Sequence, residues 1–246
     1  MTSKEQQYDN FVDLEANYPH YNLGFDNRDI RIGFRNKVLG VVCVQLLITI
    51  GVCALFMQDQ RMNDIMNGPH RTALYVLATI LMFVSMCIII CNKKYRYQVP
   101  HNYAMLLLFT LSTAYTIGLV CTQYKTNLVI LAAGATLIVS TGLIIYAITT
   151  KSDFTMMGGA LGSALLILMF MGIIQFFLND SVYNFVYSGL GAFIFSLYLI
   201  YDVQLISSGN HKNELSPDDY IYGALSIYLD IINLFLYILE FLTSKD

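Results

Sequence analysis

Two carboxylates, Asp202 and Asp230, each sit inside an apolar stretch long enough to cross a membrane, and neither stretch holds a lysine or arginine to neutralise them. A charged side chain at the bilayer centre costs roughly 3 kcal/mol on insertion scales, so such residues usually pair, bind a cation or carry a proton. If the two meet in a dry site they cannot easily both ionise, and the pair then shares a proton. Loss of that proton creates an anionic oxygen cluster of the hard kind that Ca²⁺ prefers. The bland alternative is that each aspartate hydrogen-bonds unpaired N–H groups at a neighbouring helix end.

The elements that must position these acids follow from composition. The chain has 246 residues, 56% of them hydrophobic and only 13% charged, with a mean hydropathy of +0.56. Soluble domains carry about 25% charged residues, so this balance implies a polytopic membrane protein. Apolar segments run about Val38–Met57, Ala73–Cys91, Tyr103–Thr122, Leu128–Ile148, Gly158–Leu178, Val182–Ile206 and Tyr220–Leu242. Each is near the ~20 residues a helix needs to cross a bilayer, and helices satisfy their own backbone in lipid. The expected fold is an all-α, seven-helix transmembrane bundle. Residues 1–29 read as a short polar tail without a signal-peptide core, and 30–246 as the membrane domain. Net charge is −3, and no basic stretch resembles a nucleic-acid footprint.

Basic residues set the expected orientation. With the N-terminus cytosolic, that side holds Lys4, Arg28, Arg31, Arg35, Lys37, Lys93, Lys94, Arg96, Lys151 and Lys212, against Arg61, Arg71, Lys125 and Lys245 on the other. The excess favours a cytosolic N-terminus; the side of the C-terminus stays open. Cys43, Cys53, Cys87, Cys91 and Cys121 show no zinc or CxxC spacing and read as small packing residues. Gly158 and Gly162 form a GxxxG, and Gly189 and Gly191 lie early in the sixth segment; such positions let helices approach closely. Tyr8-Asp9-Asn10-Phe11 matches a tyrosine-based sorting signal, and His70, His101 and His211 read as solvated loop residues.

Wound at about 100° per residue, the last segment places Asp219, Gly223, Ser226, Asn233 and Tyr237 within about 60° of Asp230, with Glu240 about 80° away. Ile221, Leu225, Ile232 and Leu239 lie opposite. A polar stripe on a membrane helix faces protein or a wet cavity, so this helix is expected against or inside the other six. In the sixth segment Gly191, Phe195 and Tyr198 share the face of Asp202. Asp230 lies some 15 Å into its helix by helical rise. An approach to Asp202, near the end of the preceding span, therefore requires tilt or a shortened helix start.

The stretches Tyr201-Asp202-Val203-Gln204-Leu205-Ile206, Leu215-Ser216-Pro217-Asp218-Asp219-Tyr220 and Leu229-Asp230-Ile231-Ile232-Asn233-Leu234-Phe235 resemble the transmembrane Bax inhibitor motif family, with Lifeguard and Golgi anti-apoptotic proteins as its nearest branches. Phe34-Arg35-Asn36-Lys37-Val38, Pro100-His101-Asn102 and Lys151-Ser152-Asp153-Phe154-Thr155 extend the likeness to residues 28–246. The resemblance implies a bundle with the C-terminal helix central, in Golgi or endoplasmic reticulum membranes. It implies a Ca²⁺ leak that lowers the releasable store and protection from apoptosis, without a cofactor or enzymatic activity. Asp202 and Asp230 match the family's pH-sensing, pore-latching pair and would hold Ca²⁺ transiently. Asp218 matches a position usually filled by glutamate and linked to conduction. Asp219, Asn233 and Glu240 complete the expected cation pathway and mouth. Implied partners are the lipid bilayer, Ca²⁺, and apoptotic regulators or Ca²⁺-release channels, for a monomer or weak homo-oligomer. Two departures stand out: the tail has only Pro19 as a proline, and no basic residue lies inside an early span, so any counter-charge comes from a helix end or a cation.

Other readings compete. An intramembrane aspartyl protease shares Tyr201-Asp202, but Asp230 follows Ile227-Tyr228-Leu229 rather than a glycine pair. A rhomboid-type protease lacks its GxSG, and a G-protein-coupled receptor conflicts with the charge bias. A Ca²⁺/H⁺ exchanger could use the same acids, and a non-conducting interaction protein would use neither.

Overall fold

Backbone groups in hydrocarbon must bond within their own segment, and each apolar stretch is accordingly helical. The computed structural model describes residues 28–58, 68, 71–178, 180–207, 215 and 217–244. The expectations for Tyr8–Phe11, His70 and His211, and for the charges of Lys4, Arg61, Lys212 and Lys245, lie outside these residues.

The order is α1 (Arg28–Gln58), α2 (Arg71–Cys91), α3 (Lys93–Tyr97), α4 (His101–Cys121), α5 (Thr126–Thr149), a 3₁₀ turn at Thr155–Met157, α6 (Gly158–Leu178), α7 (Ser181–Ser207), a second turn at Pro217–Asp219, and α8 (Tyr220–Thr243). Seven of these helices, all but the five-residue α3, are long and apolar enough to cross a membrane. The fold is the seven-helix transmembrane bundle the composition predicts, with no strand among the described residues. Its outer surface is apolar: Leu47, Ile138, Leu166 and Phe177 are all exposed, the reverse of a soluble protein's pattern and suited to lipid.

The helix that carries the first apolar segment begins ten residues before it. α1 begins at Arg28 because Phe34, Val38 and Val42 recur every four residues and are buried, giving its charged entry a core-facing stripe. Lys37 on this entry lies over the Tyr220 ring, 3.3 Å from its centroid. The Asn92–Asn102 connection, read as simple punctuation, contains α3. The Asn92 side chain accepts from the Lys94 N–H at 3.0 Å and starts that helix as a cap.

α8 is the central element. It packs against α7, α5, α1 and α4, and buried residues occur all round it, from Tyr220 and Ile221 to Leu239. The apolar side opposite Asp230 therefore meets protein too: Ile221, Leu225, Ile232 and Leu239 are all buried. One side is a closed polar seam. The Tyr228 hydroxyl pairs with Thr49 at 2.8 Å, and Gln45 donates to Thr110 at 2.9 Å. Small residues admit large ones elsewhere: a Cβ on Gly191 would come within 2.4 Å of the Tyr237 ring, whereas one on Gly162 would meet nothing within 4 Å. Close packing thus accounts for Gly191 and for Gly158, which faces Tyr201, but not for Gly162.

Candidate intramembrane acid site

The segment that closes α5 onto α6 is held by one side chain. Gln204 of α7 accepts from the Phe154 N–H at 2.7 Å and donates to the Ser152 carbonyl at 2.8 Å. Asp153 accepts from the Thr155 N–H at 2.9 Å, turning the chain into the Thr155–Met157 turn. This places the start of α6 beside the half of α7 that carries Asp202.

Between α6, α7 and α8 lies a cavity of about 900 Å³. The turn and α6 contribute Thr155, Met156, Gly158, Gly159 and Leu165; α7 contributes Phe195, Tyr198, Tyr201, Asp202 and Leu205. α8 contributes Tyr222, Ser226, Leu229, Asp230 and Asn233. Ser226, Asp230 and Asn233 of the polar stripe wound from the sequence, and the Phe195–Tyr198 face of α7, thus meet across one space. The Asp202 and Asp230 side chains lie within hydrogen-bonding reach of each other. Asp230 is 5% exposed, and its Oδ2 is buried without a hydrogen-bond donor.

The approach that sequence reasoning left open is achieved by an offset between helices. Asp202 lies five residues before the end of α7, and Asp230 ten residues after the start of α8. At 1.5 Å per residue the start of α8 projects about 7 Å beyond the end of α7. The projecting end is anchored: the Arg96 Nε lies 2.7 Å from Asp219 Oδ1, and the Arg96 guanidinium stacks over Tyr222 at 4.5 Å. Asn102, fully buried at the start of α4, donates to the Tyr220 hydroxyl at 2.7 Å. Tyr97 hydrogen-bonds Asp219, which raises its phenol above the ordinary range, with burial a lesser cause.

The other site residues separate. Asp219 is buried in its ion pair with Arg96, so its charge is compensated by a helix-end arginine. Asp218 is exposed on the adjoining turn. Asn233 lines the cavity and donates to the Leu229 carbonyl at 2.8 Å. Glu240 lies further along α8 and accepts a hydrogen bond from Gln175 of α6. Between Glu240 and the cavity, the Tyr237 ring fills the space left by Gly191, stacks on Phe195 at 5.6 Å and meets the Tyr187 hydroxyl at 3.0 Å. Sequence reasoning missed Arg96 and Tyr222 as parts of this assembly. The sequence signals available for them were a basic residue between two spans and a tyrosine eight residues before an acid on the same helix.

The fold and site define a polytopic helical membrane protein with an acid pair inside the bilayer-spanning region. Residues 31–246 match the Bax1-I family, inhibitor of apoptosis-promoting Bax1, and the chain belongs to that family of anti-apoptotic Bax inhibitor and lifeguard membrane proteins. It is 34% identical over 226 residues to Protein lifeguard 3 of Homo sapiens, covering 90% of this chain and 72% of that protein. The mouse Protein lifeguard 3 is 33% identical with the same coverage. The Golgi anti-apoptotic protein of Vaccinia virus (strain Lister) is 34% identical over 217 residues, 88% of this chain and 87% of the viral protein.

Proposed function

We propose that this protein is a pH-sensitive Ca²⁺ leak of an intracellular membrane, Golgi or endoplasmic reticulum, that lowers stored Ca²⁺ and restrains apoptosis. The observation that carries the proposal is the meeting of Asp202 and Asp230 on the wall of a 900 Å³ cavity. Two carboxyls so close titrate as a pair, so their charge, and with it their attraction for a cation, changes with pH. Among the described residues no group of three or more His, Cys, Asp or Glu could hold a metal ion. Ca²⁺ takes six to eight oxygens when firmly bound, so the pair suits an ion in transit, still carrying water, better than a stored one. The family membership and the name of the viral relative support the apoptotic role and the Golgi assignment.

In this reading Asp202 latches Asp230, Asp218 draws cations toward the mouth, and the Tyr187–Tyr237 layer separates the cavity from Glu240. Asp219 contributes through the Arg96 pair that fixes the start of α8. The test is Ca²⁺ flux into proteoliposomes across a pH series, for the parent and Asp230→Asn. The expected result is flux that varies with pH and is lost in the variant. Absence of flux above empty liposomes at every pH would sink the proposal. With Ca²⁺ equal on both sides and the membrane potential clamped by K⁺ and valinomycin, an imposed proton gradient distinguishes an exchanger, which accumulates Ca²⁺, from a leak, which does not.

A further inference from the structure

An inorganic ion accounts for little of this cavity. At about 900 Å³ it stands toward the upper end of the roughly 300–1,000 Å³ typical of small-molecule sites. Beyond the two acids its wall is aromatic and aliphatic. Phe195, Tyr198, Tyr201 and Tyr222 contribute rings, and Leu165, Leu205 and Leu229 contribute an apolar lining. Lysine, arginine and histidine are absent from that lining among the described residues. Ring faces beside carboxylates are the chemistry that recognises organic ammonium groups, which ring quadrupoles attract and which shed water more readily than metal ions do. The two acids that line the cavity, sharing one proton, keep one negative charge that an ammonium N–H would meet.

We propose that this cavity binds a single-chain lipophilic amine, its ammonium head at Asp202 and Asp230 among the rings of Tyr198 and Tyr201, away from Tyr222, which carries Arg96, and its tail along Leu165, Leu205 and Leu229. Such a ligand occupies the acid pair that Ca²⁺ would pass, so the two compete. The inference rests on the same acid pair as the leak reading but not on any ion flux.

The test uses the purified full chain in maltoside micelles with tritiated hexadecylamine. Saturable 1:1 binding is expected, displaced by unlabelled hexadecylamine but not by hexadecanol, which has the same tail without the charge. Asp230→Asn is expected to weaken binding about tenfold or more. Tyr198→Leu should weaken it about three- to thirty-fold, while Tyr198→Phe, which keeps the ring face, should not. Displacement by hexadecanol as effective as by the amine, measured on the parent chain alone, would overturn the proposal by showing an ordinary lipid cavity. Unchanged binding in Asp230→Asn would overturn it as well. Ca²⁺ flux from the same preparations separates the two readings: amine binding without flux leaves this inference standing and removes the leak, and flux without amine binding does the reverse.

Discussion

Tyr228 and Asp230 are two residues apart on α8 and face opposite fates. Tyr228 is completely buried, with its ring against Phe109 and its hydroxyl paired with Thr49. Asp230 is nearly as buried, yet its carboxyl meets only a second acid, Asp202, with no N–H or hydroxyl donor at its buried Oδ2, and it borders an open cavity. A buried polar group that is satisfied adds modestly to stability, whereas an unsatisfied one is costly and signals another role. The α1–α4 side of the last helix is thus a seam that holds the bundle together, and the α6–α7 side is a site. The same helix serves both because successive residues turn by about 100°.

The comparison can be broken most sharply at Asp230. Asp230→Asn is expected to reduce Ca²⁺ flux about tenfold or more and to abolish its pH dependence, while the melting temperature stays unchanged or rises, since a charge-bearing group leaves a buried position. A large stability loss with flux intact would reverse the assignment of the two sides. Next in size, Arg96→Ala should cost roughly 3 kcal/mol in an unfolding titration, because it strands the buried Asp219 carboxylate. Gly191→Ala should cost about 1–3 kcal/mol by pressing a methyl group into the Tyr237 ring. Because that ring separates the cavity from Glu240, the basal leak of this variant is expected to rise. The smallest effect sharpens the seam: Tyr228→Phe should lower stability by about 1 kcal/mol and leave flux in proteoliposomes at the parental level. Thr49 still donates to its own Gln45 carbonyl, which limits the cost.

Legibility in the sequence followed the strength of the local signal. Long apolar runs exposed every span, and the winding of the last segment brought Ser226, Asn233 and Asp230 to one stripe that does line the cavity. The same winding grouped Asp219, Tyr237 and Glu240 with them, but contacts with Arg96, Gly191 and Gln175 take these three to separate places along the helix. A single helix can be wound from its residues; the neighbour that each residue meets depends on other helices. The motif around Lys151–Thr155 was visible as a pattern, but its purpose emerged only when Gln204, about fifty residues later, was seen to hold it.

Seven membrane-spanning helices, two acids inside them and the resemblance to the family to which the chain belongs were all legible in the residues alone. Those properties depend on composition and on spacing along one segment, where hydrophobic transfer and helical period act locally. That Asp202 and Asp230 meet, that Asp219 is compensated by Arg96, and that the acids open onto a cavity large enough for an organic ligand follow from the packing of the helices. Each of these rests on the offset between α7 and α8 and on which side chains fill the gaps between helices. That is a property of packed volumes in three dimensions, and it leaves no periodic trace along the chain.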